Sequence, residues 1–229
     1  MKHPFASAYK RNRDLTPRRK VILLAVSVFL VAALAAGGWY LTSRPADRGT
    51  PHAKRQGDVV TRSTDKPDEK PVSKDYAWKG GDRDPKFIEL PSIASSGFVQ
   101  QMGVDQNKQI AVPTNIHLAG WFVDSVRPGR KGLSIIVGHV NGVQSDAGIF
   151  KQLGKLKAEE EFKLTLGNGD KLTYKVMDVK SYKTAESANY LFSQSPGIES
   201  QLNLVTCSGS YDKAARSYDQ RTIVTAKLL

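Results

Sequence analysis

The chain of 229 residues is long enough for one ordinary globular domain plus additional segments. An apolar share of 40% with 24% charged residues excludes a multi-span membrane protein and a wholly disordered chain, and a single cysteine excludes an internal disulfide and any metal site built on cysteines. The net charge of +12 points to nucleic acid only until it is located: residues 1–20 carry seven Lys/Arg against one acid, whereas residues 81–229 carry eighteen against fifteen, so no nucleic-acid partner is expected.

After the basic tail of residues 1–20, Val21 to Leu41 run without a charge. As a helix, 21 residues span about 31 Å, the thickness of a bilayer's hydrocarbon core. Lys2, Lys10, Arg11, Arg13, Arg18, Arg19 and Lys20 would keep that flank cytoplasmic, and Trp39 and Tyr40 suit the far interface. The segment is therefore expected to be a transmembrane signal anchor, with cleavage among the small residues Ala32 to Ala36 as the alternative. Both readings place residues 42–229 outside the cytoplasm.

Residues 42–80 are rich in Pro, Asp, Lys, Arg, Ser and Thr, with Val59–Val60 their main aliphatic pair. Too little apolar surface is available there to offset chain entropy, so a flexible extracellular linker, dispensable for catalysis in solution, is expected. The folded domain is expected over residues 81–229.

Most of its pattern is strand. Phe162, Leu164 and Leu166 alternate with polar residues, Gly167–Asp170 supplies a turn, and Leu172, Tyr174 and Val176 alternate again, which predicts a hairpin. Ile110–Val112, Leu118–Val123, Leu133–Val137, Leu202–Thr206 and Thr222–Lys227 are further strand candidates. Helical spacing is confined to Phe150, Leu153 and Leu156 and to Ala188–Phe192. The expected fold class is mainly β, an antiparallel barrel or sandwich with a few short helices.

Three residues carry candidate chemistry. Cys207 ends the apolar run LNLVTC ahead of Ser208-Gly209-Ser210. A free cysteine is commonly a buried core residue, but an unpaired thiol outside the cytoplasm points to reactivity. His139 follows the run IIVG directly, with His117 in NIHLAGWF as its competitor. Arg221 opens RTIVTAKLL, and if the strands of Cys207 and Arg221 are antiparallel neighbours the two residues meet, with Arg216 in the intervening loop as the alternative.

The stretch from Leu90 to Leu229 resembles the sortases, cysteine transpeptidases of Gram-positive cell surfaces. The resemblance rests on LPSIA, on AGWFVDSVRPGRKGLSIIVGHVNG with His139, on AGIFKQLGKLK, and on LNLVTCSGSYD and YDQRTIVTAKLL with Cys207 and Arg221. The PG and GHV segments look most like the class F and class E groups. Ala158-Glu159-Glu160 departs from the family's usual Gly-Asp or Gly-Glu turn, and no apolar or aromatic lid segment is evident before Leu90, unlike the pilus-building subgroup.

The resemblance implies a sortase-like closed β-barrel and a Cys207 nucleophile, with His139 as general acid and base and Arg221 stabilising the substrate carbonyl or oxyanion. The implied partners are secreted proteins with a C-terminal LPXTG-like signal and an amine on a peptidoglycan precursor, met at the outer face of the cell membrane. Substrate-binding residues are not assigned; no cofactor is implied, and Glu159–Glu161 reads as a solvated turn rather than a calcium site. The other readings are an L,D-transpeptidase, whose signature is missing around Val205–Gly209, and a non-catalytic tethered β-barrel binding the wall or a protein.

Overall fold

The alternation over residues 162–176 forms the hairpin that it predicts. The computed structural model describes residues 59–229. In it β5 (Glu161–Leu166) buries Phe162, Leu164 and Leu166, and β6 (Lys171–Lys183) lays Tyr174 opposite Phe162 and Leu172 opposite Leu164. The Phe162 and Tyr174 rings stack with centroids 5.6 Å apart. Gly169 takes φ +90° in the connecting turn, a conformation that costs glycine little.

Six further strands complete the sheet: β1 (Pro85–Leu90), β2 (Ser95–Met102), β3 (Ala119–Phe122), β4 (Gly132–Gly138), β7 (Ser200–Asp212) and β8 (Ser217–Leu228). They close into a barrel in the order β1-β2-β3-β4-β7-β8-β6-β5, with β1 also paired to β5. Neighbours are antiparallel except β2 with β3 and β4 with β7, which run parallel. The expected closed, mainly β architecture is thus present, with parallel pairs that strand patterning did not anticipate.

Several expectations shift. Ile110–Val112 forms no strand of its own; Ile110 makes one isolated bridge to Val104. Phe150, Leu153 and Leu156 are buried around a short 3-10 turn at Leu153–Lys155, and the second helical patch becomes α1 (Thr184–Leu191).

The barrel interior is filled by Ile88, Leu90, Val99, Trp121, Ile136, Phe162, Leu164, Tyr174, Leu202, Leu204 and Val224, among others. A smaller apolar cluster of Phe122, Ile135, Val205 and Ile223 lies on the opposite face of the same strands, with Leu191 of α1 and Tyr182 packed against it. Strand β7 is accordingly buried without interruption from Gln201 to Thr206, as expected of a strand covered on both faces. That covering fixes the approach to Cys207.

Residues 59–80 differ most from the reading of composition. Val60 bridges to Met102 and Asp68 to Asn115. The Trp78 Nε1–H donates to the Val99 carbonyl at 2.9 Å, and the Tyr76 ring lies 5.2 Å from that of Phe98. Backbone hydrogen bonds and two aromatic rings hold this strap against the barrel, which apolar content alone does not reveal. The rest of the expected linker, the basic tail and the candidate transmembrane helix lie outside the described residues.

Candidate active site

Cys207 and Arg221 face each other directly. The antiparallel register of β7 and β8 pairs Thr206 with Thr222, Cys207 with Arg221 and Ser208 with Gln220. Neither residue marks a strand end, contrary to the sequence reading: β7 continues to Asp212 and β8 starts at Ser217, so the expected intervening loop is largely a hairpin. Its outer part is held by the Tyr211–Tyr218 pair and by the Ser210 N–H donating to the Asp219 carboxylate at 2.7 Å. Arg216 sits in the turn at φ +49° with a largely exposed side chain 3.6 Å from Asp65, so Arg221 is the arginine beside the thiol.

His139 reaches the same end of the sheet through β4. The parallel register pairs Val137 with Val205, and one step later the Thr206 hydroxyl donates to the Gly138 carbonyl at 2.8 Å. The next residues along these two segments are His139 and Cys207. His117 is engaged elsewhere, its Nε2 lying 3.2 Å from the Glu69 carbonyl.

Thr206 is only 5% exposed, so its tie to Gly138 is a buried one. Thr206→Val keeps the shape but leaves the Gly138 carbonyl without its donor. The expected cost is about 1–2 kcal/mol in urea unfolding. A stability equal to the parent's would show that the tie contributes nothing at this junction.

The imidazole Nε2 of His139 lies 2.8 Å from the Pro113 carbonyl. A carbonyl oxygen only accepts, so Nε2 carries a proton and Nδ1 is the basic atom of the neutral ring. Burial holds the His139 pKa below the usual imidazole value, opposed by the Pro113 carbonyl. Burial likewise pushes the Cys207 thiol up, and the Arg221 charge opposes that. Both shifts favour the neutral form, for the thiol and for the imidazole.

Arg221 is oriented through one nitrogen. Its Nη1 donates to Thr184 Oγ1 at 3.0 Å, to the Tyr218 carbonyl at 3.0 Å and to the Gln220 carbonyl at 2.8 Å. Nε and Nη2 make no hydrogen bond among the described residues. A guanidinium carries five N–H donors, so three remain for another acceptor. Tyr218 also donates its hydroxyl to Asn141 Oδ1 at 3.0 Å, joining β8 to the loop after His139. Pro113, Asn141, Thr184 and Tyr218 escaped sequence reading, because each acts through a partner distant in the chain.

The sequence model of one protein family, described as the sortase domain, matches residues 88–229, more than half of the chain. The chain belongs to the sortase family. This membership displaces the L,D-transpeptidase reading and makes the chain a cysteine transpeptidase by family. Solved structures to which this sortase is similar include a lid mutant of sortase A from Corynebacterium diphtheriae, at 22% identity and a TM-score of 0.48, covering 63% of this chain and 69% of that one. Sortase C-1 from Actinomyces oris matches at 25% identity and a TM-score of 0.46, over 65% of this chain and 76% of its own. A Clostridium perfringens sortase D5 transpeptidase matches at 20% identity and a TM-score of 0.46, over 64% and 79% of the respective chains. A comparison with curated proteins finds no match.

Proposed function

We propose that this sortase is a membrane-anchored enzyme that cleaves an LPXTG-like sorting signal in secreted proteins through a thioester on Cys207 and transfers the acyl group to an amine of a cell-wall precursor. The observation that carries the reading is the register of three strands. β4–β7 brings His139 to the level of Cys207, and β7–β8 sets Arg221 opposite it.

In the proposed reaction the Cys207 proton passes to Nδ1 of His139 as sulfur attacks the scissile carbonyl and a C–S bond forms. Negative charge then develops on the carbonyl oxygen. The Nε and Nη2 donors of Arg221 suit that charge, since the guanidinium is always protonated and is already oriented through Nη1. Collapse breaks the C–N bond, and the imidazolium returns its proton to the leaving amine. An incoming amine reverses the steps: it gives its proton to His139, attacks the thioester carbonyl and releases the thiol. Starting from the neutral pair avoids maintaining two buried charges in the resting enzyme.

The uncharged run Val21–Leu41 after a basic tail supports anchorage in the cell membrane with the barrel outside. The PG and GHV segments support a place near the class F and class E groups.

The test is intact-mass measurement of the full chain incubated with LPXTG-variant peptides, with and without hydroxylamine. An acyl adduct on Cys207, discharged by hydroxylamine as a hydroxamate, is the expected result and names the preferred signal. A reduced Cys207 that forms no adduct and cleaves nothing across the panel would favour the non-catalytic tethered barrel.

A further inference from the structure

We propose that the strap residues Asp68–Lys70 form a positioning clamp for His139, with the Glu69 carboxylate as its central group. This rests on the reading of His139 as the acid and base of the reaction. It assigns a catalytic contribution to a segment whose composition reads as a dispensable tether.

Two sets of contacts carry the inference. The first is to the loop that leaves His139. Glu69 Oε1 accepts the Val143 N–H at 2.5 Å and the Gln144 N–H at 3.0 Å, and Oε2 accepts the Ser145 N–H at 2.7 Å. Three successive backbone donors thus converge on one side chain. A carboxylate suits such a cradle because it is acceptor-only with two oxygens, and charge-assisted bonds of this kind are strong for their class. The approach is close enough that a Cβ on Gly142 would lie 2.5 Å from the Glu69 carboxyl carbon. At its base the same loop is closed by the Phe150 N–H donating to the His139 carbonyl at 2.9 Å.

The second set is to the segment that holds the His139 ring. Pro113 supplies the carbonyl that accepts from Nε2, and the residues after it are bound to the strap one by one. The Asp68 N–H donates to the Thr114 carbonyl at 2.8 Å, and the Ile116 N–H donates to the Asp68 carbonyl at 2.9 Å. Asn115 Nδ2 donates to the Lys70 carbonyl at 2.9 Å, and His117 Nε2 meets the Glu69 carbonyl at 3.2 Å. Three consecutive strap residues therefore hold the loop after His139 and the segment whose carbonyl accepts the hydrogen bond from its ring. An imidazole fixed from both sides presents Nδ1 in one orientation, and effective proton transfer depends on that placement.

The experiment compares Glu69→Ala and Glu69→Gln with the parent full chain, and uses Asp65→Ala as a control on the same strap. Among the described residues Asp65 ion-pairs only with the exposed Arg216 side chain, so its removal is expected to change little. Three quantities are read: exchange of the amides at residues 143–145, the NMR signals of the His139 ring, and kcat and KM with the preferred peptide. Glu69→Ala is expected to speed amide exchange, to average the His139 ring signals over both tautomers, and to lower kcat about tenfold with KM nearly unchanged. Glu69→Gln keeps one acceptor oxygen but turns an NH2 toward a backbone donor, so it should fall between parent and alanine.

An unchanged His139 ring signal with faster exchange at 143–145 would overturn the clamp, because the loop would then move without the histidine. A rise in KM alone would overturn it too, by making Glu69 a binding residue. If the parent forms no acyl adduct with any peptide, the proposed reaction fails by itself. The ring signals of parent and variant then still decide whether Glu69 orients His139.

Discussion

Cys207→Ala is expected to abolish both the acyl adduct and peptide cleavage while leaving the barrel folded. The thiol is the nucleophile of the proposed reaction, and alanine provides no atom that can form the C–S bond. The loss should exceed four orders of magnitude, on the order of 6 kcal/mol or more of transition-state stabilisation. Folding has much less at stake, since a small, half-buried side chain is shortened by one atom in a strand whose ladder to β8 is a backbone property. Urea unfolding should therefore move by no more than about 1 kcal/mol, which separates a chemical loss from a structural one. Cys207→Ser tests the same point with a nearly isosteric group: a hydroxyl ionises far less readily than a thiol, so serine should be inactive as well. Full cleavage by Cys207→Ala would end the thioester mechanism.

The second large effect is expected at Arg221, where two contributions can be separated. The guanidinium charge lowers the pKa of a thiol that burial raises, so removing it lets burial act unopposed. In Arg221→Ala the midpoint for Cys207 alkylation by iodoacetamide should consequently move to higher pH. Arg221→Lys keeps a positive charge, so its midpoint should stay nearer the parent's. Turnover should not track the same order. Lysine lacks the planar fork that donates through Nη1 to Thr184, Tyr218 and Gln220 and leaves Nε and Nη2 free. Both variants are therefore expected to lose about 100- to 1,000-fold in kcat, the range found when an oxyanion donor is removed. A lysine variant with parent kcat would reduce the arginine to its charge. A parental alkylation profile in the alanine variant would show that its charge does not reach the thiol.

Much of this site is legible in the sequence because it lies on strands with strong patterns. The runs LNLVTC and RTIVTAKLL are rich in apolar and β-branched residues, and their pairing is evident once they are taken as neighbours. The extent of the hairpin was not legible: Ser-Gly-Ser-Tyr-Asp reads as a turn, yet cross-strand tyrosines and the Asp219 carboxylate carry the ladder through it. Strand β2 was not legible for a related reason. Ser, Gly and Gln dilute the alternation in SSGFVQQM, and the buried Gln101 is compensated by donating to the Asp84 carboxylate at 3.0 Å. The strap was missed because composition measures apolar surface, while this segment is held largely by backbone hydrogen bonds to distant residues. Its one available signal was aromatic, since Tyr76 and Trp78 are unusual in a solvated spacer.

If the proposed reaction holds, the parallel pairing of β4 with β7 governs when the chain first becomes able to cut its surroundings. His139 and Cys207 follow the paired ends of β4 and β7 at the same level of the sheet but are separated along the chain by the whole of β5, β6 and α1. Contacts between residues so remote in sequence form late, after the entropy of a long loop has been spent. A chain still unfinished, with its last strands not yet in place, has the thiol but neither the imidazole nor the guanidinium beside it. By the proposed mechanism that species cannot cleave a peptide bond. In the proposed mechanism the ring of strands thus acts as its own safety catch, since the three groups come together only in the completed fold.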